Sequence, residues 1–126
     1  MKLEDAKILI GDDSILARKQ LKDMIRSLGG QHFIEAANGQ EVIDRYREFS
    51  PEIVFLDIVM PVKDGNAAIA EIRQMQPGAD IVVVSSVGTQ SQLKEAIELG
   101  ARDFVQKPLN RTQIESILKT RFEGRA

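Results

Sequence analysis

Short runs of apolar, mostly β-branched residues alternate along this chain with longer segments in which apolar side chains recur every three or four positions. Runs that are apolar throughout, rather than alternating with polar residues, are typical of strands in a parallel sheet covered by helices on both faces. Buried strands are therefore predicted at residues 8–10, 53–56, 81–84 and 104–105, with a further strand at residues 32–36.

The segments between these runs carry apolar stripes at the spacing of an α-helix. The stripes are Leu21, Met24, Ile25 and Leu28; Val42, Ile43 and Tyr46; Ala68, Ile69 and Ile72; Leu93, Ala96 and Ile97; and Ile114, Ile117 and Leu118. Ser14 and Asn110 are predicted N-caps, and four glycines are expected to adopt positive φ at helix ends or loops: Gly29, Gly39, Gly65 and Gly100. Five strand–helix repeats predict one α/β domain of residues 1–126, a doubly wound, five-stranded parallel sheet flanked by five helices.

Composition narrows the class of partner and the compartment. The 17 basic and 19 acidic residues are interspersed without a run of lysine or arginine, so direct binding to nucleic acid is not expected. The chain has no cysteine, which excludes disulfides, thiolate catalysis and sulfur-ligated zinc and fits a cytoplasmic location. No stretch is apolar enough for a signal peptide or a membrane span, so a soluble protein is expected.

Polar side chains follow four of the predicted strands, at the sheet edge where ligands of such folds bind. They are Asp12 and Asp13, Asp57, Ser85 with Ser86, and Lys107. Three carboxylates about 5 Å apart repel one another by roughly 3 kcal/mol per pair at an effective dielectric constant of 20, so a cation must compensate them. An all-oxygen set suits Mg²⁺, which also favours a substrate phosphate.

Mg²⁺ would neutralise one oxygen of a phosphoryl group, the Lys107 ammonium would neutralise a second, and a serine hydroxyl would donate a hydrogen bond to a third, which leaves Asp57 as the nucleophile. Attack by a carboxylate on phosphorus gives an aspartyl phosphate. The modified protein could hold a different conformation until water hydrolyses the acyl phosphate bond, so the pattern predicts a switch.

Together, these residues resemble the receiver domain of two-component response regulators, in particular its single-domain, CheY-like members. The motifs that carry the resemblance are Asp12-Asp13, Asp57 with Met60-Pro61 and Asp64-Gly65, Ser85, and Lys107-Pro108. The resemblance spans essentially the whole chain. It implies the strand order 2-1-3-4-5, a histidine kinase or phosphotransfer protein as phosphodonor, and a protein that is not a classical enzyme but catalyses its own Mg²⁺-dependent phosphorylation and dephosphorylation.

By the same resemblance, Asp13 and Asp57 bind Mg²⁺ directly together with the backbone carbonyl of Val59, while Asp12 acts mostly through a metal-bound water. Asp57 accepts the phosphoryl group and Lys107 pairs with it, through a cis peptide bond to the following proline. Val59 and Val87 are apolar at positions that influence the access of water, so slow self-dephosphorylation is expected.

The resemblance also assigns the switch and the output surface. Ser85 matches the hydroxyl that moves to bond the phosphoryl group, and Phe104 matches the aromatic residue that then turns inward. A downstream protein is expected to bind the face formed by the fourth helix, fifth strand and fifth helix, and phosphorylation-dependent dimers are possible in this family. Phe104 lacks the hydroxyl of the more common tyrosine.

Other functions fit the sequence less well. A haloacid-dehalogenase-like phosphatase uses a D-x-D pattern, but Val59 stands at the place of its second aspartate, so no acid is available for a leaving group. A nucleotide or flavin module would need a glycine-rich phosphate loop, and none follows any strand. A pseudo-receiver that works by protein contact alone is disfavoured because every required polar group is present. The 126 residues could also be the receiver fragment of a larger regulator.

Overall fold

The computed structural model describes residues 1–124, which form a five-stranded, all-parallel sheet with the strand order β2-β1-β3-β4-β5. A short 3-10 helix, Leu3–Asp5, precedes the sheet. The strands and helices are β1 Lys7–Gly11, α1 Ile15–Ser27, β2 His32–Ala36, α2 Gly39–Phe49, β3 Ile53–Asp57, α3 Gly65–Met75, β4 Ile81–Ser85, α4 Gln90–Glu98, β5 Asp103–Gln106 and α5 Arg111–Arg121. The predicted fold class and strand order are confirmed.

Alternate residues of the central strands point into two separate cores. One core lies between the sheet and α1 with α5, and includes Leu21, Ile25 and Ile114. The other lies between the sheet and α2, α3 and α4, and includes Val42 and Ile69. Burial of each such side chain contributes about 1.5 to 3 kcal/mol, so residues of β3 and β4, which are buried along their whole length, have to be apolar until the strand ends.

The strand register sets the position of the polar residues. In the parallel pairing, Gly11 of β1 lies opposite Leu56 of β3, and Asp57 of β3 lies opposite Val84 of β4. Asp12 follows Gly11 and Asp57 follows Leu56, so the two aspartates lie at the same level of the sheet. Ser85 of β4 pairs in turn with Gln106, the residue before Lys107. The register alone brings the strand-end side chains of β1, β3, β4 and β5 to one edge.

The helix ends confirm some of the local predictions and correct others. Ser14 and Asn110 cap α1 and α5 as predicted, and Gly29 and Gly100 have positive φ, 119° and 111°. The expectation of positive φ for two other glycines, Gly39 and Gly65, is wrong.

Gly39 and Gly65 are the first residues of α2 and α3, and space rather than φ requires glycine there. A Cβ atom would lie 2.7 Å from the carbonyl carbon of Lys63 in the first case and 2.8 Å from the Cα of Ile58 in the second. Both helices therefore begin against the loop that follows β3.

No helix within residues 1–124 combines the length and the apolar character that crossing a membrane would require.

Candidate functional site

An ammonium group joins two carboxylates at the carboxyl edge of the sheet. Lys107 Nζ donates to Oδ2 of Asp12 and to Oδ2 of Asp57, at 3.1 Å in each case. Both aspartates are only 6% exposed, so these are short, partly desolvated ion pairs rather than solvated surface contacts. Residues 50 and 95 positions away from Lys107 in the chain are thus brought into one site.

Asp13 completes an acidic cluster with these two residues. Asp12, Asp13 and Asp57 each offer a carboxylate oxygen, and the three oxygens lie within 4.8 Å of one another. Oxygens bound to a six-coordinate Mg²⁺ at about 2.1 Å lie about 3 to 4 Å apart, so a small inward movement of the side chains is enough for direct coordination. Asp13 is exposed while the other two are buried, which leaves the cluster open to a hydrated ion. The donor set therefore fits a hard divalent cation.

Every polar atom of Asp12, in the loop between β1 and α1, is hydrogen-bonded. Asp12 Oδ1 accepts from the Ser14 N–H at 2.9 Å, its backbone N–H donates to the Ala36 carbonyl at 3.0 Å, and its backbone carbonyl accepts from Arg18 Nη1 at 2.7 Å. Together with the ion pair to Lys107, these bonds leave Asp12 little freedom. The sequence motif identified the carboxylates but missed Arg18, whose only signal is its place one turn after the N-cap of α1.

The loop between β3 and α3 orients the second buried carboxylate. Asp57 Oδ1 accepts from the backbone N–H of Val59 at 3.1 Å, which leaves Oδ2 for Lys107. The loop returns to the sheet where the N–H of Gly65 donates to the Ile58 carbonyl at 2.8 Å, and Asp64 then caps α3. The close packing of the start of α3 against the backbone of Asp57 and Ile58 thus holds the Asp57 carboxylate in place.

The two residues predicted to form the switch, Ser85 and Phe104, lie on β4 and β5. Ser85 is buried, and its hydroxyl donates to the Val105 carbonyl across 3.4 Å, a long and weak hydrogen bond. Its own carbonyl accepts from the N–H of Lys107, whose peptide bond to Pro108 is cis as expected. The Phe104 side chain is 38% exposed on β5. Ser85 therefore stands one residue beyond the strand partner of Asp57, with its hydroxyl directed at the β5 backbone.

Burial and charge together perturb the site. Burial raises the pKa of Asp57 above its ordinary value of 3.8, the neighbouring Asp12 carboxylate raises it further, and the hydrogen bond from Lys107 opposes the rise. Burial alone lowers the pKa of Lys107, but the hydrogen bonds and negative charges of Asp57 and Asp12 outweigh it, so the pKa lies above 10.5. One ammonium does not neutralise three carboxylates, so the site favours an additional cation.

A buried asparagine links the start of α3 to α4, and the sequence patterns did not identify it. Asn66 is 6% exposed, and its Nδ2 donates to the Gln92 carbonyl at 3.1 Å and to Glu95 Oε2 at 3.2 Å. Its Oδ1 is buried without a hydrogen-bond partner. Asn66 directly follows Gly65, so it connects the loop of the acidic site with α4, which is part of the predicted output face.

Exposed apolar side chains occur in the loops and first helical turns at the same edge of the sheet. They are Ile15, Leu16, Val59, Val62 and Val87, the last of which is 93% exposed. Exposed apolar side chains beside a polar site are typical of a surface that contacts another protein.

Comparison with known proteins agrees with the fold. The family model described as a response regulator receiver domain matches residues 8–119. The chain is 41% identical to the chemotaxis protein CheY of Thermotoga maritima over 112 residues, which cover 89% of this chain and 93% of that protein. It is 40% identical to CheY of Bacillus subtilis, over 90% of this chain and 96% of that protein.

A solved structure gives the same result. The CheX–CheY–BeF3–Mg²⁺ complex from Borrelia burgdorferi contains a chain that superposes with a TM-score of 0.85 at 30% identity, covering 94% of this chain and 90% of that chain. The chain belongs to the response regulator receiver domain family. Within two-component systems its similarity is to CheY, so it is a CheY-like receiver.

Proposed function

We propose that this receiver accepts a phosphoryl group on Asp57 in a Mg²⁺-dependent reaction, and that residues 1–126 act as one phosphoacceptor domain. The observation that carries the proposal is the buried Asp57 carboxylate, 3.1 Å from Lys107 Nζ and within 4.8 Å of two further carboxylate oxygens. A carboxylate is costly to bury, and this one is surrounded by more negative charge than Lys107 neutralises. Such an arrangement favours a bound divalent cation, and it holds the Asp57 carboxylate in place as a nucleophile for a phosphoryl group that this cation and Lys107 would neutralise.

Asp13 and Asp57 would hold Mg²⁺ directly, with the backbone carbonyl of Val59, and Asp12 would act mostly through a metal-bound water. When bound, Mg²⁺ supplies positive charge that neutralises phosphoryl oxygens and the acidic cluster. The protein contributes the fixed positions: the Val59 N–H and Lys107 hold the two oxygens of Asp57 in different directions.

The phosphodonor is a histidine kinase or a phosphotransfer protein that presents a phosphohistidine. A carboxylate oxygen of Asp57 forms the new P–O bond while the P–N bond to the imidazole breaks, and the nitrogen keeps the electron pair and takes up a proton. Lys107 stabilises the charge on the transferred group. Hydrolysis of the acyl phosphate by water later restores the carboxylate, so the protein catalyses both its phosphorylation and its dephosphorylation.

Ser85 and Phe104 form the switch. The hydroxyl of Ser85 exchanges its weak bond to the Val105 carbonyl for a charge-assisted bond to the phosphoryl group, which is roughly twice as strong as a neutral hydrogen bond. Phe104, at present partly exposed, then turns towards the space that the hydroxyl leaves. Because β5 lies between α4 and α5, the change reaches the surface where a target binds.

The output face comprises α4, β5 and α5. Its exposed polar residues include Gln92, Glu95, Arg102 and Gln106. A downstream protein, or a second copy after phosphorylation, binds there, whereas direct binding to nucleic acid is not part of this function. The complex of a Borrelia burgdorferi CheY with CheX supports a protein target for a CheY-like receiver. We place this function in the cytoplasm.

The test is incubation with Mg²⁺ and acetyl phosphate, followed by measurement of the intact mass. One phosphoryl group should add to the wild type and to the Asp44→Asn variant, which changes an exposed aspartate of α2. No addition should occur on Asp57→Asn, or on the wild type in EDTA. An adduct that persists on Asp57→Asn, or an unmodified wild type, would contradict the proposal.

A further inference from the structure

A mostly buried arginine supports the backbone between the two neighbouring acidic residues. Arg18 lies in the first turns of α1, and its side chain is only 14% exposed. Nη1 donates to the backbone carbonyl of Asp12 at 2.7 Å, and Nε donates to Glu35 Oε1 at 3.1 Å. The guanidinium group therefore joins the loop after β1 to the end of β2.

The contact to the carbonyl restricts a particular peptide plane. Because a peptide unit is planar, the direction of the Asp12 carbonyl also sets the direction of the Asp13 N–H and limits the rotation of the bonds on either side. This peptide joins the two aspartates, and Asp13, the exposed member of the cluster, depends on it for its position. Glu35 anchors the guanidinium group from β2, which pairs with β1 up to Gly11.

We propose that Arg18 is a positioning residue for the cation site: by holding the Asp12–Asp13 peptide, it keeps the carboxylates close enough together for a small inward movement to complete the coordination of a divalent ion. The inference rests on the proposed Mg²⁺ dependence. The two hydrogen bonds of Arg18 end on the Asp12 carbonyl and on Glu35, so Arg18 acts on the cation site only through the backbone. Groups that orient metal ligands in this way typically change the affinity about 10- to 100-fold when they are replaced.

Charge and position make opposite predictions for this residue. Removal of a nearby positive charge by itself strengthens the binding of a cation to an acidic cluster. Loss of the carbonyl contact weakens the binding, because the ion must then order the peptide as it binds. The sign of the change in Mg²⁺ affinity therefore separates positioning from simple electrostatics.

Lys22 provides a matched control. It lies on the same helix, and its Nζ bonds the same glutamate, Glu35 Oε2, at 3.1 Å. None of its hydrogen bonds or ion pairs in the described chain reaches Asp12. Lys22→Met and Arg18→Met thus remove the same charge from the same acidic partner, but only the second releases the carbonyl.

The experiment measures the Mg²⁺ dissociation constant by isothermal titration calorimetry, with folding checked by circular dichroism. Arg18→Met should bind Mg²⁺ about tenfold more weakly than the wild type, and Lys22→Met should bind it at least as tightly as the wild type. Arg18→Lys keeps a donor for the carbonyl and should fall between the wild type and Arg18→Met. Arg18→Lys also serves if Arg18→Met fails to fold: it keeps the charge, so a loss of Mg²⁺ affinity reports the lost guanidinium contacts, and an unchanged affinity counts against the inference.

A second readout is the dependence of acetyl phosphate labelling on Mg²⁺ concentration. The concentration for half-maximal labelling should rise in Arg18→Met, whereas the rate at saturating Mg²⁺ should stay close to that of the wild type. Equal or tighter Mg²⁺ binding by Arg18→Met overturns the inference and leaves the proposed function intact. A wild type that binds no Mg²⁺ overturns both.

Discussion

Replacement of the buried Asp57 by asparagine should stabilise the protein in the absence of divalent cations. The substitution keeps the size of the side chain and the oxygen that accepts from Val59 N–H, but it removes a negative charge from the most crowded part of the site. The raised pKa of Asp57 has the same cause, since burial and the charge of Asp12 disfavour the ionised form more than Lys107 favours it.

The expected magnitude follows from the distances. At an effective dielectric constant of about 20, two charges 4.8 Å apart repel by about 3.5 kcal/mol, and opposite charges 3.1 Å apart attract by about 5 kcal/mol. Repulsion from Asp12, with a smaller, solvent-screened share from the exposed Asp13, therefore nearly cancels the attraction to Lys107. The desolvation of the carboxylate, which costs several kcal/mol, is left uncompensated. We expect Asp57→Asn to gain about 1 to 3 kcal/mol.

The assay is urea-induced unfolding in EDTA and in Mg²⁺. At a Mg²⁺ concentration tenfold above the dissociation constant, the wild type should gain about 1.4 kcal/mol from binding, while Asp57→Asn, which lacks one ligand, should gain less. The difference between the two proteins should thus narrow when Mg²⁺ is added.

A control and a contrary result complete this test. Asp44→Asn, on the exposed face of α2, should change the free energy of unfolding by less than about 0.5 kcal/mol in either buffer. An Asp57→Asn protein that is less stable than the wild type in EDTA would refute the electrostatic reasoning.

Three further predictions concern the neighbourhood of the site. Gly65→Ala should cost about 1 to 3 kcal/mol in urea unfolding because its Cβ would overlap the β3–α3 backbone, while Gly78→Ala, which meets nothing within 4 Å, should cost less than about 0.5 kcal/mol; equal costs would count against the overlap. Asn66→Asp should lower the free energy of unfolding by about 2 kcal/mol or more, because it loses its donors and places a buried charge beside Glu95, and an unchanged urea midpoint would contradict this. Val59→Asn should shorten the lifetime of the phosphorylated protein several-fold, because a polar side chain beside the site can hold the attacking water. The lifetime is measured from the decay of the phosphorylated mass, and a lifetime at least as long as that of the wild type would remove the role given to the apolar side chain.

The sequence by itself determined the class of fold and the acidic and basic residues at the edge of the sheet. Continuous apolar runs at β3 and β4 indicate strands buried on both faces, and such strands are parallel and joined by helices. Once the strands are parallel, their carboxyl ends face one way, so Asp12, Asp57 and Lys107 could be grouped without coordinates. The fold class and the grouping of these residues follow from the periodic burial of side chains, which can be read from a short segment of sequence.

The tertiary structure decided which contacts hold those residues in place. Gly65 is glycine because two segments approach each other closely, and neither its neighbours in sequence nor its φ reveals this. Arg18 donates to the backbone carbonyl of Asp12, and Asn66 donates to the backbone carbonyl of Gln92 on α4. Because every residue has a backbone carbonyl, the sequence does not indicate which one a side chain will contact. Such contacts depend on the register of the sheet and on the packing of each helix against its neighbours. Local periodicity therefore specifies the elements, but only their assembly brings a particular donor within 3 Å of its acceptor.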